Sequence, residues 1–200
     1  MGSAKSLRLL TTAYNFEENG IPFMVLKPSI DTRDGEGVIK SRVGIERECI
    51  VIDTNDNIYD AVEKYNNILI STLSKLEWIL IDECQFLTEK QVNELAHIVD
   101  NLNISVMCFG LRTDFQSKSF IGSKRLFELA DTIEEVKSRC SCGKKASINA
   151  RFNENKEIVL NILQPDLAKV IHAIISKNLV VTKENVVIKT ENKDFDQDEF

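Results

Sequence analysis

Two short stretches hold residue types that could do chemistry together. Ser3-Ala4-Lys5-Ser6 stands directly before Leu7, Leu10 and Tyr14, which recur at helical spacing. A cation and a hydroxyl at the head of a helix suit a bound phosphate: backbone N–H groups point at the anion, the Lys meets its charge, and the hydroxyl can ligate Mg2+. The stretch matches the last half of G-x-x-x-x-G-K-[ST], with Ala4 in place of the second glycine. Farther on, the apolar run Trp78-Ile79-Leu80-Ile81 ends in Asp82-Glu83. A buried strand with two acids at its C-terminal end supplies one carboxylate for Mg2+ and a second as a base. Asp31-Thr32-Arg33 adds an acid and a cation suited to the charge on a transferring phosphoryl group. Taken singly, each stretch also fits a plainer role as a helix cap, a solvated acid pair or a loop ion pair. Their order and separation support one another.

Apolar spacing gives the helices and strands around these residues. The stretch through Ser6 reads as a loop leading into a helix from Leu7 to the Asn19-Gly20 cap, and Pro22 to Pro28 reads as a buried strand. Residues 31–48 turn polar and Gly-containing, a long loop with room for a short strand pair around Val38 and Ile45. Ile50 to Ile52 reads as a strand, Ile58 to Leu73 as a helix, Trp78 to Ile81 as a strand, Glu89 to Asn101 as a helix, and Ser105 to Phe109 as a strand. A helix over 124–130 and a strand over 133–136 are expected next, and then Cys140-Ser141-Cys142-Gly143 opens something smaller and ribbon-like. Strands alternating with helices imply an α/β fold built on a mainly parallel sheet. Toward the end, Leu167 to Ile175 reads as an apolar helix, and 179–181 and 186–188 as β-rich. Residues 191–200 hold five acids and one lysine, the composition of a mobile tail.

Composition narrows the partners. The chain has 200 residues, 25 Lys+Arg against 31 Asp+Glu, a net charge of −6 and 43% hydrophobic residues, so it can bury a core. No long uncharged apolar run spans a membrane and no secretory signal opens the chain. The acidic balance, without clustered Lys and Arg, argues against nucleic-acid binding. Five cysteines, an odd number, suit reduced thiols better than a disulfide framework.

Several separate motifs together resemble one family. Met1 to Ser6, Lys27-Pro28-Ser29-Ile30-Asp31-Thr32-Arg33, Ser41-Arg42-Val43-Gly44, Ile81-Asp82-Glu83-Cys84-Gln85-Phe86-Leu87 and Gly110-Leu111-Arg112-Thr113-Asp114-Phe115 fall in the order of the thymidine kinases of the cellular, zinc-containing type. The likeness is to the bacterial and bacteriophage branch. It continues through Phe120-Ile121-Gly122-Ser123 and Cys140-Ser141-Cys142-Gly143-Lys144-Lys145-Ala146, about three quarters of the chain.

The resemblance implies a P-loop NTPase-type parallel sheet flanked by helices, with a small, partly lost zinc-ribbon-like subdomain. The expected boundaries are residues 1–138 for the kinase domain, 139–160 for the ribbon remnant and 161–200 for a divergent extension. It implies transfer of the ATP γ-phosphoryl to the 5′-hydroxyl of thymidine or deoxyuridine, in a cytoplasmic homotetramer serving DNA precursor synthesis. Gly2, Ser3, Ala4, Lys5 and Ser6 would cradle the nucleotide phosphates. Asp31, Arg33, Asp82 and Gln85 would complete the ATP and Mg2+ side, and Glu83 would be the catalytic base. Met1, Phe86, Leu111, Phe115 and Phe120 match apolar positions around the thymine ring.

The departures from the family pattern are local. Cys140 and Cys142 are one ligand pair of a tetrahedral zinc site; no cysteine follows them, and His172 is the only later histidine. Zinc well below one per chain is therefore expected. A nucleoside-covering loop with a Gly-Gly turn and a Tyr has no counterpart, since no glycine follows Gly143 and the last tyrosine is Tyr65. The strand that aims the phosphate loop would precede Met1, so the chain is expected to begin inside the family pattern. Two other readings stay open: a nucleotide-binding relative without turnover, and a helicase-type P-loop ATPase suggested by Asp82-Glu83-Cys84-Gln85.

Overall fold

A computed structural model describes residues 4–33, 35, 37–71, 74–138, 145–146, 151–152, 158–160 and 186–188. Helix α1 spans Lys5–Glu18, followed by β1 (Phe23–Pro28), the hairpin strands β2 (Val38–Lys40) and β3 (Glu46–Glu48), and β4 (Ile50–Ile52). Then come α2 (Ile58–Ser71), β5 (Trp78–Ile81), a 3-10 turn at Cys84–Phe86, α3 (Glu89–Leu102), β6 (Ser105–Cys108) and α4 (Ile121–Leu129). Strands β4-β1-β5-β6 form a parallel sheet in that order, with Leu26 opposite both Ile50 and Ile81.

Alternation along the strands divides the core between the two faces of this sheet, because successive strand side chains point to opposite sides. Met24, Leu26, Ile79 and Ile81 face one way and pack with Ile58 and Val62 of α2 and Val92, Leu95 and Ile98 of α3. Val25 and Leu80 face the other way, against Leu9, Leu10 and Ala13 of α1. All the strands therefore end on one edge, where α1 begins.

Polar side chains fix the helix ends. Thr88 and Gln91 form a reciprocal capping box on α3, and Gln91 Nε2 also donates to the Asp53 carbonyl at 2.7 Å, tying the end of β4 to α3. Glu94 Oε2 accepts from the Ile58 N–H at 2.8 Å, satisfying a donor at the start of α2.

Three details differ from expectation. Helix α4 starts at Ile121, ahead of Lys124, and Gly122 is why it can approach so closely. A Cβ there would lie 2.6 Å from the Leu87 carbonyl oxygen and 2.9 Å from that of Cys84. No strand forms over 133–136. Ile133 is exposed, and Glu134 and Glu135 pair with Arg8 and Lys145, so this segment has no apolar face to bury in a ladder. The helix expected at 58–73 is seen to Ser71, beyond which 72–73 lie outside the described residues.

The chain divides into two compact units, one of Met1–Arg112 with Ser119–Ala146 and one of Thr113–Lys118 with Ser147–Phe200. In the second, β7 (Arg151–Phe152), β8 (Ile158–Leu160) and β9 (Val186–Ile188) form an antiparallel sheet in sequence order. The expected helix over 167–175 and β-rich stretch over 179–181 lie outside the described residues. No helix among the described residues is long and apolar enough to cross a membrane.

Candidate active site

The start of α1 and the end of β5 meet directly. Ser6 Oγ donates to Asp82 Oδ2 at 2.8 Å across a sequence separation of 76. Asp82 is 3% exposed and extends the β5 pairing, its N–H donating to the Leu26 carbonyl at 3.0 Å. Burial pushes the Asp82 carboxyl above its usual range; the neighbouring Glu83 charge adds to this, while the Ser6 hydroxyl and the Lys5 charge oppose it. A hydroxyl and a desolvated carboxylate held together are hard oxygen donors, which suits Mg2+. Ala4, just ahead of α1, is left-handed at φ 54°, a conformation that favours glycine.

A second chain of contacts runs across the same edge. Asp31, just past β1, is buried, and Arg33 Nε donates to its Oδ1 at 2.6 Å. Another guanidinium nitrogen of Arg33 pairs with Glu83 Oε1 at 2.7 Å. The Arg33 side chain is 48% exposed, so this cation can turn toward an incoming phosphoryl group. Burial raises the Asp31 carboxyl, but the Arg33 hydrogen bond and charge and the Lys27 charge outweigh it and hold the group below its usual range. Glu83 is itself left-handed at φ 48°, strain of the kind found at functional sites. Its N–H donates to Asp82 Oδ1 at 3.0 Å, and Gln85 Nε2 donates to its Oε2 at 2.5 Å.

Lys27 joins this site from inside an apolar strand run, where its role is not evident from neighbouring residues. Its side chain is 2% exposed, with Nζ donating to the carbonyls of Val38 at 2.9 Å and Gly35 at 3.1 Å, and lying 3.8 Å from Asp31 Oδ2. The ammonium thus organises the polar loop after β1. The available signal was a lone Lys inside an apolar strand run, since a buried cation must find partners.

The structure brings Lys5, Ser6, Asp31, Arg33, Asp82, Glu83 and Gln85 to one sheet edge. Phe86 and Phe120 meet edge to face at 5.8 Å, with Phe86 36% exposed, leaving aromatic surface available to a flat ligand. Leu111 is held between Gln85, which accepts its N–H at 3.0 Å, and Ser123, which donates to its carbonyl at 2.6 Å. Phe115 lies in the other unit, in a turn where Asp114 Oδ1 accepts from the N–H groups of Gln116 and Lys118. Met1, Gly2, Ser3, Cys140 and Cys142 lie outside the described residues. Among the described residues no group of three or more His, Cys, Asp or Glu is placed to hold a metal ion. Ser6 and Asp82 are oxygen donors held together at the start of α1.

Comparison with known proteins points to one family. A family model described as thymidine kinase matches residues 1–162. The chain is 42% identical over 167 residues to the thymidine kinase of Zymomonas mobilis, with 84% of each chain covered. It is 44% identical over 158 residues to that of Francisella tularensis subsp. holarctica, covering 79% of this chain and 78% of the relative. The thymidine kinase of Rhodopirellula baltica is 42% identical over 159 residues, 80% of this chain and 73% of its own.

Proposed function

Because the chain belongs to the thymidine kinase family, we propose that it transfers the γ-phosphoryl group of ATP to the 5′-hydroxyl of thymidine or deoxyuridine, giving the monophosphate and ADP. The observation that carries the reading is Arg33 spanning Asp31 and Glu83 on the sheet edge where Ser6 meets Asp82. Lys5 and the first turn of α1 bind the β and γ phosphates. Mg2+, held by Ser6 and by Asp82 directly or through water, would neutralise charge on those phosphates. Glu83 takes the proton of the 5′-hydroxyl as its oxygen bonds to the γ-phosphorus and the bond to the ADP oxygen breaks. Arg33 leaves the Glu83 carboxylate to meet the phosphoryl oxygens, so one motion supplies the cation and frees the base. Phe86, Leu111 and Phe120 line the nucleobase side, and Met1 and Phe115 are assigned there by resemblance.

This reading extends to a cytoplasmic homotetramer that serves DNA precursor salvage. Cys140 and Cys142 supply half of a zinc site, and metal analysis should find well under one zinc per chain. The test of function is thymidine monophosphate formation from ATP, Mg2+ and labelled thymidine. Glu83→Gln should abolish turnover while retaining ATP binding. Ala4 at positive φ favours a second reading, nucleotide binding without turnover, and an inactive parent protein that still binds ATP would establish it.

A further inference from the structure

From its two hydrogen bonds we infer that Gln85 is a positioning residue that locks the Glu83 carboxylate to the Gly110-Leu111 turn, coupling base alignment to the nucleoside side of the site; this rests on the kinase reading above. Gln85 is 2% exposed and hydrogen-bonded to Glu83, so on this assignment it serves the ATP and Mg2+ side that the resemblance gives it through Glu83 rather than by direct contact. Both ends of its amide are used: Nε2 donates to Glu83 Oε2 at 2.5 Å, and Oε1 accepts the Leu111 N–H at 3.0 Å. The amide cannot be turned over, because a carboxylate only accepts and a backbone N–H only donates.

The surroundings are shaped around this link. A Cβ on Gly110 would come 2.8 Å from Gln85 Oε1 and 2.5 Å from Cys84 Sγ, so a side chain at 110 would displace the amide. Ser123 holds the Leu111 carbonyl from α4, and Gly122 beside it packs on the carbonyls of the 3-10 turn that carries Gln85. A displacement of Leu111 therefore passes through one rigid amide to Glu83. A base displaced by about 1 Å costs on the order of a hundredfold in rate.

The test separates the two ends of the amide in the full chain. Gln85→Glu keeps an acceptor for Leu111 but removes the donor to Glu83 and sets a second carboxylate against it. Gln85→Met removes both. With ATP, Mg2+ and thymidine, both variants should lose about tenfold to a hundredfold in kcat while the KM for ATP stays within about twofold. Amide hydrogen exchange by NMR should find Leu111 as protected as in the parent in Gln85→Glu, and exchanging at least about tenfold faster in Gln85→Met. If one variant fails to fold by circular dichroism, the other carries the kinetic comparison. If neither folds, Gln85 is a packing residue and the assignment is overturned. A kcat within about threefold of the parent, or unchanged Leu111 exchange in Gln85→Met, also overturns it. A parent protein that does not phosphorylate thymidine refutes the kinase reading instead, and the exchange contrast still decides whether the link exists.

Discussion

Replacing Lys27 with Met tests whether a buried cation holds the loop that carries Asp31 and Arg33. Met preserves the length and apolar bulk of the Lys stem, so no cavity opens and the loss is polar. Hydrogen bonds to a charged group are worth about 1.5–3 kcal/mol each. The Gly35 carbonyl lies in an exposed stretch and can regain water, so the Val38 carbonyl carries most of that loss. Breaking a buried ion pair by removing one partner costs about 3–5 kcal/mol, but Asp31 here keeps Arg33 at 2.6 Å and the long 3.8 Å Lys27 contact is the weaker one. Removing the ammonium also removes its own desolvation cost. The net expectation is a destabilisation of about 2–3 kcal/mol, read by urea unfolding at pH 7 with an unchanged m-value. The pH dependence supplies a second readout. Asp31 is held below its usual range when folded, so it contributes stability that is present above its unfolded value near ~3.9 and is lost as pH falls through the folded one. Without Lys27 one of the lowering charges is gone, so that contribution should shrink and the acid loss should cover a narrower span. A change below about 0.5 kcal/mol, the size of an ordinary surface substitution, would refute the reasoning.

Two further substitutions probe the phosphate side. Ala4→Gly relieves a left-handed non-glycine residue and should stabilise the protein by about 0.5–1 kcal/mol, a rise in Tm of a few degrees, with a lower KM for ATP. A fall in Tm would count against the strain. Asp82→Asn removes a carboxylate whose pKa burial raises on folding. Such a group weakens the folded state where it is ionised, so the substitution should raise the Tm of the nucleotide-free protein at pH 7. That gain should vanish below the unfolded value, where the carboxyl is protonated in both states. Thermal unfolding with and without Mg2+ and ATP should lose its ligand-induced shift in this variant, and a retained Mg2+-dependent shift would exclude Asp82 as the metal-side acid.

The parallel α/β core was legible because its strands are apolar runs of strand length and its helices repeat at three and four residues, as in Val92-Leu95-Ile98 of α3. In α1 the Leu7-Leu10-Tyr14 spacing indicated the helix but not its buried face, which is Leu9-Leu10-Ala13, with Tyr14 exposed. Local composition also placed Asp82-Glu83 at a strand end and Lys5-Ser6 at a helix start. Residues 133–136 are not a strand although two acids among apolar neighbours leave that pattern locally plausible; in the fold Ile133 is exposed, Glu134 pairs with Arg8 across 126 positions and Glu135 pairs with Lys145 ten positions on. Neighbouring residues establish which acids, cations and hydroxyls are present and which elements carry them. Their pairing comes from packing: Ser6 with Asp82, Arg33 between Asp31 and Glu83, and Lys27 turned from an apolar strand into a loop of carbonyls. Local periodicity is a property of neighbouring residues. A hydrogen bond across 76 positions depends on how the sheet and helices pack, and one chain alone does not encode that in its spacing.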